Sequence, residues 1–107
     1  MTSQDQLAAI EALLKARQGA DPKSSYVAGL YAQGVDAIAK KVGEEATETI
    51  IAAKNPDDTA LICEVADLWF HTLVLLSHRG LASSDVLKEL ERRMGTSGLT
   101  EKAARVK

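Results

Sequence analysis

Four carboxylates occur as two pairs, each with a spacing of three residues, in separate segments of the chain. The segment KKVGEEATE contains Glu45 and Glu48, and the later segment EVAD contains Glu64 and Asp67. Residues three apart on a helix lie on the same face, so each pair can present two carboxylates to one neighbour. Mg²⁺ is typically bound by carboxylate oxygens together with water and the phosphates of a substrate. The pattern therefore predicts a site for metal-assisted phosphoryl chemistry.

The surroundings of the second pair distinguish it from ordinary surface acids. An ExxE pair alone, as in GEEATE, is usually a solvated helix face. Glu64 and Asp67, however, interrupt the apolar run LICEVADLWFHTLVLL, where exposed positions are least expected. Burying unpaired acids costs roughly several kcal/mol each, and Lys41 alone cannot neutralise all of them. We therefore expect Mg²⁺ among these carboxylates, with Glu44 on their shoulder.

The acids lie in a chain whose patterning is helical throughout. Apolar residues recur at helical spacing between turn signals, and no window alternates with the period of a strand. The predicted helices cover about Ser3–Arg17, a short segment capped by Ser24 or Ser25, about Val35–Lys54, a segment from a cap at Asp57 or Asp58 to about His78, and about Ser83–Met94. The fold class is thus predicted to be all-α, a bundle of two long antiparallel helices with shorter flanking helices.

Helical periodicity also predicts which faces of the two long helices meet. On the first, the predicted core arc is Val42, Ala46, Ile50 and Ala53, and the stripe beside it is Lys41, Glu45, Glu48 and Ala52. On the second, the predicted core arc is Leu61, Val65, Leu68, Thr72 and Leu76, and the stripe beside it is Glu64, Asp67, His71 and His78. Antiparallel packing would bring the two acidic stripes opposite each other.

Length and charge exclude several classes of protein. A chain of 107 residues allows one domain, 1–107, and its net charge of −2 gives no basic field to recruit nucleic acid. The lone Cys63 excludes an internal disulfide and fits a reducing cytoplasm. The most apolar stretch carries Glu64, Asp67 and His71, which would be costly in a membrane. We expect a cytoplasmic protein with no membrane or nucleic-acid partner.

The second long helix is apolar on more than one face. Its large side chains include Trp69 and Leu73 in addition to the core arc. Two short flanking helices leave part of this surface uncovered, and a symmetric partner is the simplest way to bury it. We expect a homodimer that completes the bundle, with Trp69 and Leu73 near the interface.

The motifs resemble a known family. KKVGEEATE followed by EVAD is similar to the ExxE…ExxD signature of the all-α, MazG-like nucleoside triphosphate pyrophosphohydrolases. The wider segments SSYVAGLYAQGVDAIAKKVGEEATETIIAAK, EVADLWFHTLVLLSHRGL and LERRMGTSGLTEKAARVK resemble the phosphoribosyl-ATP pyrophosphohydrolases over nearly the whole chain. The resemblance implies hydrolysis of phosphoribosyl-ATP to phosphoribosyl-AMP and pyrophosphate, the second step of histidine biosynthesis.

The resemblance also assigns roles to individual residues. It implies that the metal-binding acids are Glu45, Glu48, Glu64 and Asp67, with Glu44 as the extra acid beside them. For Glu44 we expect the role of orienting the attacking water. The candidates for contacts with the substrate phosphates are Lys40 and Lys41, one turn before the acids, and Lys102 and Arg105 in the basic C-terminal stretch.

Two other functions stay open on the sequence alone. One is a house-cleaning pyrophosphohydrolase that acts on non-canonical nucleoside triphosphates with the same fold. The other is a helical dimerisation module whose acids only form salt bridges. The first differs in substrate preference, and the second in showing no Mg²⁺ dependence of stability.

Overall fold

The computed structural model describes residues 1–94, which form helices and no strand. These helices are α1 (Ser3–Arg17), α2 (Tyr26–Gln33), α3 (Val35–Ala53), α4 (Asp58–His78) and α5 (Ser83–Arg93). The all-α prediction is confirmed, and the helix bounds differ from the predicted ones by about one residue. Helices α3 and α4 form an antiparallel hairpin with the most extensive helix–helix contact in the described part of the chain.

Local capping explains where the helices that carry the acids begin. The Asp57 carboxylate accepts hydrogen bonds from the backbone N–H groups of Thr59 and Ala60, at 3.0 and 3.3 Å, and so caps α4. Gly34 ends α2 and begins α3 at a φ of +94°, a conformation that favours glycine. This sharp turn lets α2 pack against the start of α3 without an intervening loop.

The core lies where α1 and α2 pack against the α3–α4 hairpin. Its buried apolar residues are Leu14, Leu30, Ile38, Leu73 and Val74. Two polar contacts add to this packing, one between the end of α1 and α4 and the other between α1 and α5. The Gln18 side chain donates to the carbonyl and hydroxyl oxygens of Ser77, and the Glu11 carboxylate accepts from the N–H and hydroxyl of Ser83 at the start of α5.

The core arc predicted for α3 is wrong, because the helix turns a different face towards the interior. Ile50 is 60% exposed and Ala53 is also exposed, whereas Ile38, Glu45 and Ala52 are the buried residues of this helix. Helix α3 is therefore rotated so that part of its acidic stripe faces inward and part of its apolar arc faces outward. An apolar surface remains exposed as a result.

The predicted face of α4 needs a similar correction. The buried positions are His71, Leu73 and Val74, and the predicted arc is only partly buried. Leu73 is buried in the core of the single subunit, whereas Trp69 is 62% exposed. By length and composition α4 could cross a membrane, but it packs along α3 and carries acids.

Candidate metal centre

The two acidic stripes face each other across the α3–α4 hairpin. The Thr49 hydroxyl lies 2.8 Å from the backbone carbonyl of Glu45 and 3.3 Å from that of Glu64, and it can donate to either. This contact helps to set the axial register between α3 and α4, so that the acids of the two helices lie side by side. Nothing in the sequence distinguishes Thr49, because a threonine on a helix face carries no signal of its own.

Three of the predicted acids converge to within contact distance of one ion. One carboxylate oxygen each from Glu45, Glu48 and Glu64 lie within 4.8 Å of one another. Asp67 is exposed and lies outside this group of three, but its negative charge contributes to raising the pKa of Glu45. The carboxylates therefore form a cluster of three with Asp67 beside it.

Glu45 is the most unusual of these acids. It is only 6% exposed, and its Oε2 atom has no hydrogen-bond partner among residues 1–94. Burial is the largest cause that raises its pKa, followed by a hydrogen bond to Glu48 and by the charges of Glu48 and Asp67. A buried carboxylate in this position is stable only with a proton or a cation. The cluster of Glu45, Glu48 and Glu64 could hold such a cation.

Lys41 is the basic residue that contacts the cluster. Its ammonium Nζ lies 3.1 Å from Oε2 of Glu44 and 3.5 Å from Oε1 of Glu45, and the pKa of Lys41 is raised chiefly by the hydrogen bond to Glu44. Glu44 is partly exposed on the shoulder of the cluster, as its sequence position indicates. One ammonium group cannot balance the cluster, so the charge deficit predicted from the sequence is present in the structure.

The other predicted phosphate-binding residues lie elsewhere. Lys40 is exposed on α3 and makes no ion pair within the described part of the chain. Lys102 and Arg105 lie outside the described residues. Of the four basic candidates, Lys41 is thus the one that the structure brings to the carboxylates.

A pair of polar side chains, His71 and Tyr26, adjoins the cluster, and the sequence pattern indicates only His71. His71 is buried, with its Nδ1 atom 2.7 Å from the backbone carbonyl of Asp67 and its Nε2 atom 2.8 Å from the Tyr26 hydroxyl. The sequence places His71 in the same stripe as Asp67, one turn further along α4. Tyr26 is in a different helix, and the SSY segment was the sequence signal that contained it.

The chain is similar to known phosphoribosyl-ATP pyrophosphohydrolases over most of its length. The family model described as phosphoribosyl-ATP pyrophosphohydrolase matches residues 7–94. A phosphoribosyl-ATP pyrophosphatase of Hydrogenovibrio crunogenus is 55% identical over 109 residues, which cover 98% of this chain and 96% of that protein. Proteins of the same name from Methylibium petroleiphilum and Azoarcus sp. are 54% and 58% identical, covering 98% and 90% of this chain and 88% and 90% of their own lengths.

Proposed function

Because this chain belongs to the phosphoribosyl-ATP pyrophosphohydrolase family, we propose that its carboxylate cluster is the centre at which phosphoribosyl-ATP is hydrolysed. The activity is that of the family: phosphoribosyl-ATP and water give phosphoribosyl-AMP and pyrophosphate. One observation carries the assignment of this reaction to the cluster. Three carboxylates from two helices converge within 4.8 Å, and one of them is buried with an unpartnered oxygen.

The residues of the cluster fit a magnesium ion. An oxygen-only set of carboxylates is what a hard divalent cation prefers, and Oε2 of Glu45 is a buried acceptor without a donor among residues 1–94. Glu45, Glu48 and Glu64 would hold the ion, and Asp67 would complete the set. When bound, Mg²⁺ would neutralise charge on the phosphates and on the departing pyrophosphate.

The protein's own residues would orient the reactants. Lys41 lies between Glu44 and Glu45, where its ammonium can donate to a phosphate oxygen that approaches the cluster. Glu44 is partly exposed at the same edge, so its carboxylate can accept a proton of the attacking water and aim the water at phosphorus. Lys40, Lys102 and Arg105 stay candidates for further phosphate contacts, the last two for the ribose 5-phosphate.

The decisive experiment measures pyrophosphate release from phosphoribosyl-ATP with Mg²⁺ and with EDTA. Release that requires Mg²⁺ and greatly exceeds release from ordinary and modified nucleoside triphosphates supports the proposal. A preference for modified triphosphates would instead support the house-cleaning pyrophosphohydrolase. A non-enzymatic dimerisation module would be supported by two results together. No substrate would release pyrophosphate, and neither Mg²⁺ nor EDTA would change the melting temperature.

We also propose that the protein is a homodimer. Trp69 of α4 and Val86 and Leu90 of α5 border an apolar groove of about 290 Å³, and all three are exposed in the single subunit. The outward arc of α3, with Ile50 60% exposed, adds to this uncovered apolar surface. Each large side chain that a partner covers contributes roughly 1.5–3 kcal/mol, so a few such contacts suffice for a stable pair.

Sedimentation of the wild type and of Trp69→Glu tests the dimer. We expect a dimer at micromolar concentration for the wild type and a shift towards monomer for the variant. Ala66→Glu is a matched control, since Ala66 is an exposed residue of α4 that does not line the groove. A wild type that is fully active as a monomer would contradict the proposal.

A cytoplasmic location follows from the same chemistry. The proposed substrate is a phosphorylated nucleotide, and the one cysteine, Cys63, is a free exposed thiol suited to a reducing compartment. The net charge of −2 is unsuited to nucleic-acid binding. The proposed partners are therefore the nucleotide substrate and a second copy of the chain.

A further inference from the structure

The hydrogen bonds of His71 fix which of its nitrogens carries the proton. A backbone carbonyl only accepts, so the Nδ1 atom that lies 2.7 Å from the carbonyl of Asp67 must donate. In the neutral ring the Nε2 atom is then an acceptor, and the Tyr26 hydroxyl at 2.8 Å donates to it. Edge-to-face contacts with the rings of Tyr26 and Phe70 hold the imidazole in this orientation.

Tyr26 extends this connection from α4 to α2. As the first residue of α2, it follows the capping residue Ser25, and the residue is 54% exposed although its hydroxyl is held by His71. The pKa of Tyr26 is raised, first by burial of the hydroxyl and less by the nearby Glu45 and Glu44, while Lys41 acts in the opposite direction. The charges of Glu45, Glu44 and Lys41 therefore act on the same hydroxyl that His71 holds.

We propose that Tyr26 is a positioning residue for the reaction: its hydroxyl holds the His71 imidazole, and His71 in turn fixes the turn of α4 that presents Asp67 beside the cluster. The inference rests on the proposed function, because it assumes that these residues act on the substrate and its metal ion. The connection joins two helices, since Tyr26 is in α2 and both His71 and Asp67 are in α4. Side chains that orient the residues around a metal ion typically contribute 10–100-fold to metal affinity or activity.

The same helix supplies a matched control for the hydroxyl group. Tyr31 is also in α2, its hydroxyl is buried without a hydrogen-bond partner among residues 1–94, and its ring stacks on His78. Tyr31→Phe therefore removes a tyrosine hydroxyl from α2 and leaves the connection to His71 and Asp67 in place. Tyr26→Phe removes the hydroxyl that makes this connection and keeps the ring.

The two variants are compared in turnover and in metal binding. For Tyr26→Phe we expect kcat to fall about 10–100-fold with a much smaller change in KM. We also expect the Mg²⁺ concentration that gives half of the maximal thermal stabilisation to rise about 10-fold. Tyr31→Phe should change neither quantity. The Mg²⁺ titration is a readout that does not depend on turnover.

A double-mutant cycle tests whether Tyr26 acts through His71. His71→Gln removes the imidazole that the hydroxyl holds, so the Tyr26→Phe/His71→Gln double variant should be no slower than the slower single variant. Independent, additive losses would overturn the positioning role. So would a Tyr26→Phe variant that matches Tyr31→Phe in both readouts, or one that melts earlier with an unchanged Mg²⁺ midpoint.

The failure of this inference is distinguishable from the failure of the proposed function. A wild type that releases no pyrophosphate from phosphoribosyl-ATP with Mg²⁺ overturns the function. An active, Mg²⁺-dependent wild type with a Tyr26→Phe variant indistinguishable from Tyr31→Phe overturns only the role of Tyr26.

Discussion

Replacing Glu45 by glutamine should make the metal-free protein more stable and nearly inactive. Glu45 is buried, its Oε2 atom lacks a partner among residues 1–94, and its pKa is raised by burial and by Glu48 and Asp67. Its ionised form is therefore unfavourable in the fold when no cation is bound. Glutamine keeps the shape of the side chain, removes the charge and adds an amide N–H that can donate to Glu48.

The size of this stabilisation follows from the contacts of Glu45. An unsatisfied buried polar group costs about 1–3 kcal/mol. The Lys41 ammonium at 3.5 Å already offsets part of this cost, so we expect a gain of about 1 kcal/mol, at the lower end of that range. In a domain of this size about 1 kcal/mol raises Tm by roughly 4–8 °C.

The effect on turnover has the opposite sign. The same substitution removes a proposed metal ligand, and a loss of about 3–5 kcal/mol of transition-state stabilisation lowers turnover about 10²–10³-fold or more. Mg²⁺ should then stabilise the variant far less than it stabilises the wild type.

Thermal unfolding in EDTA measures the stability of the metal-free protein, and unfolding across a Mg²⁺ titration measures its stabilisation by the ion. A pyrophosphate-release assay measures turnover. Glu91→Gln is the matched control, because Glu91 is an exposed glutamate of α5, a helix that carries none of the clustered acids. The control should keep the wild-type Tm, Mg²⁺ response and turnover. A Glu45→Gln variant that melts earlier than the wild type in EDTA, or that keeps the full Mg²⁺ response, would refute the reasoning.

Three further predictions follow from the same structure. Glu48→Gln and Asp67→Asn should each lower pyrophosphate release at least about 10²-fold with unchanged helicity by circular dichroism, and near-normal turnover would remove that residue from the site. In EDTA the Tm gap between Glu45→Gln and the wild type should shrink as the pH falls from neutral towards the ordinary glutamate pKa of 4.5. The raised pKa lets the folded wild type bind a proton before the unfolded chain does, and parallel Tm curves would contradict this. Glu11→Ala should lower the free energy of unfolding in urea by about 1–2 kcal/mol, because the Glu11 carboxylate caps α5 through Ser83; its Mg²⁺ midpoint should stay that of the wild type.

Most of the helical architecture could be predicted from local signals. Helix starts depend on caps such as Asp57, which accepts from N–H groups two and three residues ahead, and the α2–α3 break depends on Gly34. The spacing of Glu45, Glu48 and Glu64 likewise puts them on faces that an antiparallel pair can join. These features follow from interactions within a few residues, which a sequence displays directly.

The all-α class, the two long helices and the acids that they carry follow from the order of the amino acids. The stripe of α3 that faces inward depends on long-range packing, because the apolar arc and the acidic stripe are adjacent and periodicity does not choose between them. Packing of Ile38 and Ala52 into the interior turns Glu45 inward with them and leaves Ile50 exposed. The contact between Tyr26 and His71 spans 45 residues of chain, and such a pair forms only when α2 docks on α4. The sequence thus specified which groups are available for chemistry, and long-range packing determined which of them lie together and are buried.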